Sequence, residues 1–332
     1  MENNGGYRRI LVATEFSEAA EAAVRQAVWV ARQSGAGASI VFAHVLPDFR
    51  EAVLSVSIEA KRDLFYGGGE RFQREVRQQS DQRLQQLISD LHATDLAARY
   101  ETLLGAPYAE IVHAVQKENY DAVFAGTRGK GAWEQFFLGS TVRRLIKACP
   151  SSVWVVKAEH SAPPQTVLAA TDFSDVSRRA ALEGLWIARR SSAQFHLLHV
   201  ISPTDVSGDL METLPAGGSS RHEIDVIARK RLEQFAVTLS AHPGEIQLHL
   251  TWGPAWKEIG HLAQNLNADL IAMGTVGHGG LQGWLLGTTA ERVMNTCDCS
   301  LLTVKPTGFV SPILPPTQSL HPAWEQDSTA GG

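Results

Sequence analysis

The chain is written twice. Ile10-Leu-Val-Ala-Thr-Glu-Phe-Ser17 is matched by Val167-Leu-Ala-Ala-Thr-Asp-Phe-Ser174, and Tyr120-Asp-Ala-Val-Phe-Ala-Gly-Thr127 by Ala268-Asp-Leu-Ile-Ala-Met-Gly-Thr275. Leu138-Gly-Ser-Thr141 pairs likewise with Leu286-Gly-Thr-Thr289. A repeat of this size restricts the fold to a unit that closes on itself within one half. The offset is 157 residues at Ser17 and Ser174, 155 at His44 and His199, and 148 at Gly126 and Gly274. Most of the difference falls after His44, so the first half carries a longer loop around 47–69. A length of 332 residues suits two domains at roughly 100–200 residues each. The expected domains are 8–158 and 166–306, joined by a segment holding Pro163 and Pro164. The tail 307–332, with Pro312, Pro315, Pro316 and Pro322, is expected to be disordered.

Composition excludes several classes. Hydrophobic residues at 44% and charged residues at 20% are globular values. A net charge of −5 argues against a nucleic acid or an anionic membrane as partner, because both demand a basic excess. No apolar run reaches the ~18 residues of a membrane span, and the polar start at Met1–Arg9 lacks a signal-peptide core. Three cysteines are too few for a disulfide framework and fit a reducing compartment. The expected location is the cytoplasm.

Each half alternates strand and helix. Arg9–Thr14 reads as a β-run, with Ser17 as N-cap of a helix whose apolar face is Ala20, Ala23, Val24, Ala27, Val30 and Ala31. Strand signals follow at Ser39–Val45, Ala98–Leu104, Ala122–Gly126 and Ser152–Lys157. Helical spacing covers about Glu70 to Leu91, a helix opened by Pro107, and Ser140–Ala148. The second half repeats the order, with Pro254 opening its third helix. Five strands interleaved with four helices in each half predict α/β architecture, two doubly wound parallel sheets in tandem.

In open α/β sheets ligands bind beyond the carboxyl ends of the strands. There both halves spell G-x2-G-x9-G-(S/T), as Gly126, Gly129, Gly139 and Ser140, and as Gly274, Gly277, Gly287 and Thr288. Three glycines fixed at this spacing arise by chance about 0.1 times in such a chain. Read as chemistry, the motif is a phosphate cradle. Glycines turn backbone N–H groups toward an anion, and Ser140 caps the next helix and offers its positive end. Read as packing, the same glycines serve tight turns and helix–sheet contact. P-loop, zinc-helix and nucleophile-elbow motifs are absent. His44 and His199 read as packed histidines, and Cys149 and Cys297 as equivalent helix-end thiols. No catalytic residue and no metal ligand is assigned.

These residues resemble the universal stress protein family in its tandem form. The likeness spans the Thr-(Asp/Glu)-Phe-Ser signature, the glycine motif and the final strands Val153–Lys157 and Leu301–Lys305. The resemblance implies a Rossmann-like, adenine nucleotide alpha hydrolase-like sheet in strand order 3-2-1-4-5. It implies ATP as ligand, with magnesium entering only through the triphosphate, a regulatory role in stress response, and little or slow hydrolysis. By the motif, Glu15 and Asp172 contact adenosine beside Thr14 and Thr171. Ala13 and Ala170 line the adenine pocket, and Val45 and Val200 pack on the base. The glycines with Ser140, Thr141, Thr288 and Thr289 take the phosphates. Arg128 and Lys130 stand in the first glycine loop where the second has Val276 and His278. They are phosphate ligands or solvated charges. Glu15, longer than the usual aspartate, is either a reaching ligand or a loop acid. The expectation is that the halves differ in affinity. The resemblance also implies pairing through the fifth strands, here an intramolecular pseudodimer through Ser152–Lys157 and Ser300–Lys305. A homodimer of tandem chains and unknown protein partners stay open. The rival readings are an interaction scaffold that binds no nucleotide and a slow nucleotide hydrolase or transferase.

Overall fold

The computed structural model describes residues 6–47, 69–91, 95–127, 139–202, 221–276 and 287–314. The first half runs β1 (Arg9–Ala13), α1 (Glu18–Ser34), β2 (Ser39–Leu46), α2 (Gly69–Asp90), β3 (Ala97–Leu104), α3 (Pro107–Glu118), β4 (Ala122–Gly126), α4 (Ser140–Ala148), β5 (Ser152–Val156). The second runs β6 (Thr166–Thr171), α5 (Asp175–Ser191), β7 (Gln194–Ile201), α6 (Arg221–Thr238), β8 (Ile246–Trp252), α7 (Ala255–Leu266), β9 (Leu270–Gly274), α8 (Thr288–Thr296), β10 (Ser300–Val304).

The strands join into one ten-stranded sheet in the order β3-β2-β1-β4-β5-β10-β9-β6-β7-β8. Each half keeps the order 3-2-1-4-5 with parallel neighbours. The halves meet at β5 and β10, which pair antiparallel with Leu302 opposite Trp154. Alternation along the strands sends two sets of side chains to opposite faces. Ile10, Val12, Phe124 and Trp154 join α1 and α5 in one core layer that crosses the seam. Leu11, Val123, Val153 and Leu301 join α3 and α4 in the other. Neither layer stops at the boundary between the halves, so the sheet is buried on both faces there.

The local signals act as the chemistry requires. The Ser17 hydroxyl accepts from the Ala20 N–H at 3.2 Å and starts α1. Ser174 does the same for Ser177, also at 3.2 Å, at the start of α5. Glu18 and Glu21 sit in the first turn of α1 and Arg32 in the last, each favoured by the helix dipole. Pro107 stands inside the start of α3, where its missing N–H is not needed. Pro254 stands one position earlier, as the N-cap of α7.

The seam also carries polar groups. Tyr7 Oη donates to Glu183 Oε2 at 2.6 Å, and Ser152 Oγ donates to Glu183 Oε1 at 3.0 Å. Trp154 Nε1 donates to Tyr7 Oη at 3.2 Å. Burial, with smaller opposing effects from these hydrogen bonds, pushes the Glu183 carboxyl above the usual carboxylate range. At the other side of the seam Lys157 Nζ meets Asp298 Oδ1 at 2.8 Å. Lys305 Nζ donates to the Lys147 carbonyl at 3.0 Å, and burial lowers its ammonium to about 8.

Of the tail expected to be disordered, residues 307–314 are described, and part of this stretch lies against the first half. Ser311 is buried, Ile313 packs against the core layer that holds α3, and the Ile313 and Leu314 carbonyls accept from Gln116 and His113 of α3. Composition gave no sign of this, because the contacts use backbone carbonyls and a single aliphatic side chain.

Candidate functional site

The carboxyl ends of β1 and β4 lie side by side, as do those of β6 and β9. Chain reversal after β1 is built in the same way in both halves. Phe16 and Phe173 adopt positive φ, 59° and 68°, a conformation that bulky residues rarely take. The side chain of the preceding threonine holds each turn. Thr14 Oγ1 accepts from the Phe16 N–H at 3.1 Å, and Thr171 Oγ1 from the Phe173 N–H at 2.9 Å. Thr14 and Thr171 are buried, so they organise the turn from below.

The two acids occupy the turn itself. Asp172 Oδ1 accepts from the Ser174 hydroxyl at 2.5 Å and from its N–H at 3.1 Å. Glu15 Oε1 accepts from the Ser17 hydroxyl. The extra methylene of Glu15 therefore does not stop it from reaching the helix-capping serine. Both carboxylates stand half-buried at the lip.

Ala13 and Val45 project to the same face of the sheet, as do Ala170 and Val200. Ala13 pairs in register with Ala43, two residues before Val45, and Ala170 pairs with Leu198, two before Val200. Each pair thus forms a small apolar floor at adjacent strand ends.

The glycines divide by role. A Cβ on Gly126 would lie 2.5 Å from the Ala19 carbonyl carbon and 2.6 Å from the Ala20 nitrogen. On Gly274 it would lie 2.8 Å from Val176 Cγ1. These first glycines let the first turns of α1 and α5 close onto the sheet, so packing accounts for them. Gly139 and Gly287 differ: a Cβ there would meet carbonyl oxygens at 3.5 Å and 3.1 Å. Their N–H groups donate to Thr127 O at 3.0 Å and Thr275 O at 2.7 Å, tying the neck of each glycine loop.

The expected cap is corrected. Gly139, not Ser140, is the N-cap of α4, and among the described residues no side-chain cap bonds to the first turn. Gly287 plays the same part for α8. Ser140 and Thr288 are exposed first-turn residues, followed by half-buried Thr141 and Thr289. The first intrahelical bonds run from Arg143 and Glu291 to these glycine carbonyls at 3.1 Å. Both helices therefore present a first turn lacking a side-chain cap to the carboxyl edge of the sheet, beside the acid-bearing turn. Arg128, Gly129, Lys130, Gly277 and His278 lie outside the described residues.

One arrangement escaped the sequence reading. Arg83 stacks over the Phe16 ring at 4.0 Å, and Phe16 meets His44 edge-on at 4.8 Å. Arg231 likewise lies over the Phe173 ring at 4.6 Å, and Phe173 meets His199 in a tilted contact at 4.2 Å. His44 Nδ1 is bonded to Ser80 Oγ at 2.8 Å, and His199 Nδ1 donates to Thr171 O at 2.9 Å. Burial, and then Arg83, lowers the pKa of His44. Each half thus has a guanidinium on an aromatic ring beside the acid-bearing turn. The available signal was the shared offset of Arg83-Leu84 and Arg231-Leu232, which equals that of the glycine motif.

Comparison with known proteins now bears on this geometry. A model of the universal stress protein family matches residues 6–157 and again residues 164–305. Universal stress protein E of Escherichia coli K12 is 26% identical over 220 residues, covering 62% of this chain and 67% of its own. A universal stress protein of Methanocaldococcus jannaschii is 34% identical over 138 residues, covering 41% of this chain and 78% of its own. The structure of a universal stress protein from Archaeoglobus fulgidus superposes with a TM-score of 0.63 at 20% identity, covering 90% of this chain and 98% of its own. One from Pseudomonas aeruginosa, described as putative, gives 0.63 at 19% identity, covering 90% of this chain and 94% of its own. At those identities the structural likeness speaks for the fold.

Proposed function

The chain belongs to the universal stress protein family in its tandem form, and from that premise we propose that each half binds an adenine nucleotide, ATP in the first instance, for a regulatory role in stress response. The observation that carries this reading is the first turn without a side-chain cap on α4 and α8, placed beside an acid-bearing turn. Backbone N–H groups at a helix start favour a polyphosphate through direct hydrogen bonds and through the dipole. The residues fit the ligand. Ala13 with Val45, and Ala170 with Val200, would take the base, and Glu15 and Asp172 the ribose hydroxyls. Ser140, Thr141, Thr288 and Thr289 would take the phosphate tail with the glycine loops. Arg128, Lys130 and His278 are assigned to that tail by sequence position alone. Magnesium would come with the triphosphate.

The reading is one of binding, not turnover. His44 and His199, the histidines beside the site, are committed to hydrogen bonds and ring contacts. Bound nucleotide would stabilise the native state by mass action and so report its own concentration. A second reading, an interaction scaffold, is favoured by Gly126 and Gly274, whose lack of a side chain serves helix packing. Mass spectrometry of the denatured purified protein separates the two. Co-released adenine nucleotide, with a thermal shift on adding ATP and magnesium, supports binding. Neither effect at millimolar ligand would leave the scaffold.

A further inference from the structure

The repeat places one surface of the molecule beside its own control. In the first half, α3 and the amino end of β4 carry Val112, Val115 and Tyr120, all buried. Over them lies the tail: Gln116 Nε2 donates to the Ile313 carbonyl at 2.9 Å, and His113 Nε2 donates to the Leu314 carbonyl at 3.0 Å. The second half keeps both donors, as His261 and Gln264 on α7, at the same repeat offset. The three filling residues, however, become Gly260, Ala263 and Ala268. A cavity of about 870 Å³ opens there, bordered by these residues together with Trp256, His261 and Gln264. The His113 side chain is 18% exposed, whereas that of His261 is 68% exposed.

The chain itself explains why the two surfaces differ. The joint after β5 reaches the border of this groove only at His160, which meets Asp269 at 3.5 Å. It then turns into β6, with the Gln165 and Thr166 N–H groups on Asp269 Oδ2 at 2.7 Å and 3.0 Å. No described residue is left to lie along α7 as Ser311–Leu314 lies along α3. We propose that this groove on the second half is a docking site for an extended peptide of a partner protein, of the Ser-Pro-aliphatic type that the first half already holds. His261 and Gln264 donate to its backbone carbonyls, and its branched aliphatic side chain enters the space beside Gly260 and Ala263. The chain's own Ser311–Leu314 is engaged on α3, so among the described residues the matching segment is already committed to the first half. The groove lies at the amino ends of β9 and β10, away from the glycine loops, and the inference does not rest on nucleotide binding.

The test is calorimetric titration of the synthetic peptide Ser-Pro-Ile-Leu-Pro-Pro into the full chain, with sedimentation run in parallel. Saturable binding at one site per chain is expected. It should weaken at least tenfold in Gly260→Val combined with Ala263→Val, which restores the side chains of the first half. It should also weaken in Gln264→Ala, an exposed change that leaves folding intact, so a misfolded filling variant would not spoil the experiment. Absence of binding to the wild type overturns the proposal, as does binding unmoved by both variants, which would place the peptide on α3 by exchange. Self-association of the chain that is lost in the same variants would make a second copy the occupant, and also overturns it.

Discussion

Removing the carboxyl of Glu183 tests how far the two halves depend on one polar group at their seam. It accepts from Tyr7 and Ser152, both from the first half, while it stands on α5 of the second. In Glu183→Ala both hydroxyls lose their acceptor in a place shielded from water. Each unpaired donor costs about 1–3 kcal/mol, so the variant should lose about 2–6 kcal/mol before any relaxation. That is a large share of the roughly 5–15 kcal/mol that holds a domain folded. Glu183→Gln separates charge from contact. Burial raises the pKa of the Glu183 carboxyl, so the native state keeps its proton to higher pH than the unfolded chain does. Native protein then binds more protons within that window, and stability falls as pH rises through it, levelling off above the raised value. Glutamine cannot titrate, and the matching position of the first half is already Gln26. Urea unfolding followed by tryptophan fluorescence from about pH 4.5 to about 8 reads both effects. The reasoning fails if Glu183→Ala loses less than about 1 kcal/mol, or if Glu183→Gln keeps the full decline of the wild type with pH.

Three further outcomes follow from the geometry. Gly126→Ala drives a methyl into the backbone of α1 and should destabilise by about 1–3 kcal/mol. Gly139→Ala, with ordinary clearance and φ of −58°, should leave the melting temperature nearly unchanged; equal losses in the two variants would refute the division of roles. Glu245, held down to about 2 by Arg189, gives stability that is present above its ordinary value near 4.5 and is lost as pH falls toward 2. The pair is partly exposed, so Arg189→Gln should remove no more than about 1 kcal/mol, measured as a flattened acid limb in thermal melts. Under the binding proposal, Asp172→Ala should lower nucleotide stoichiometry toward one per chain, as counted by calorimetry, and leave the site at Glu15 intact; an unchanged stoichiometry would remove Asp172 from that site.

Much of the architecture is legible in the sequence because it rests on short-range chemistry. Strand runs such as Ala122–Gly126, the capping Ser17 and the periodic face of α1 are local facts, and the structure repeats them nearly residue for residue. Pairing of the fifth strands, β5 with β10, follows from the family resemblance and is found; its antiparallel direction is added by the structure. What could not be read depends on distant residues. Tyr7 and Glu183 meet across 176 positions, and nothing local marks them as partners. Assigning Ser140 as a cap failed because the chain turns one residue earlier, at Gly139, which satisfies its own N–H on Thr127. The role of Gly126 was ambiguous because a missing side chain looks the same whether an anion or a helix needs the space. Contact of 311–314 with α3 was hidden by a proline-rich composition that suggests disorder.

The antiparallel step between β5 and β10 has a consequence for how two occupancies could be read. All strands of one half run against all strands of the other, so the carboxyl ends of β4 and β9, where the glycine motifs begin, lie toward opposite rims of the sheet. Under the binding proposal, a partner resting on one rim would sense one site only. On that proposal, the strands shared between the two sites are β5 and β10, where Trp154 and Leu302 face each other.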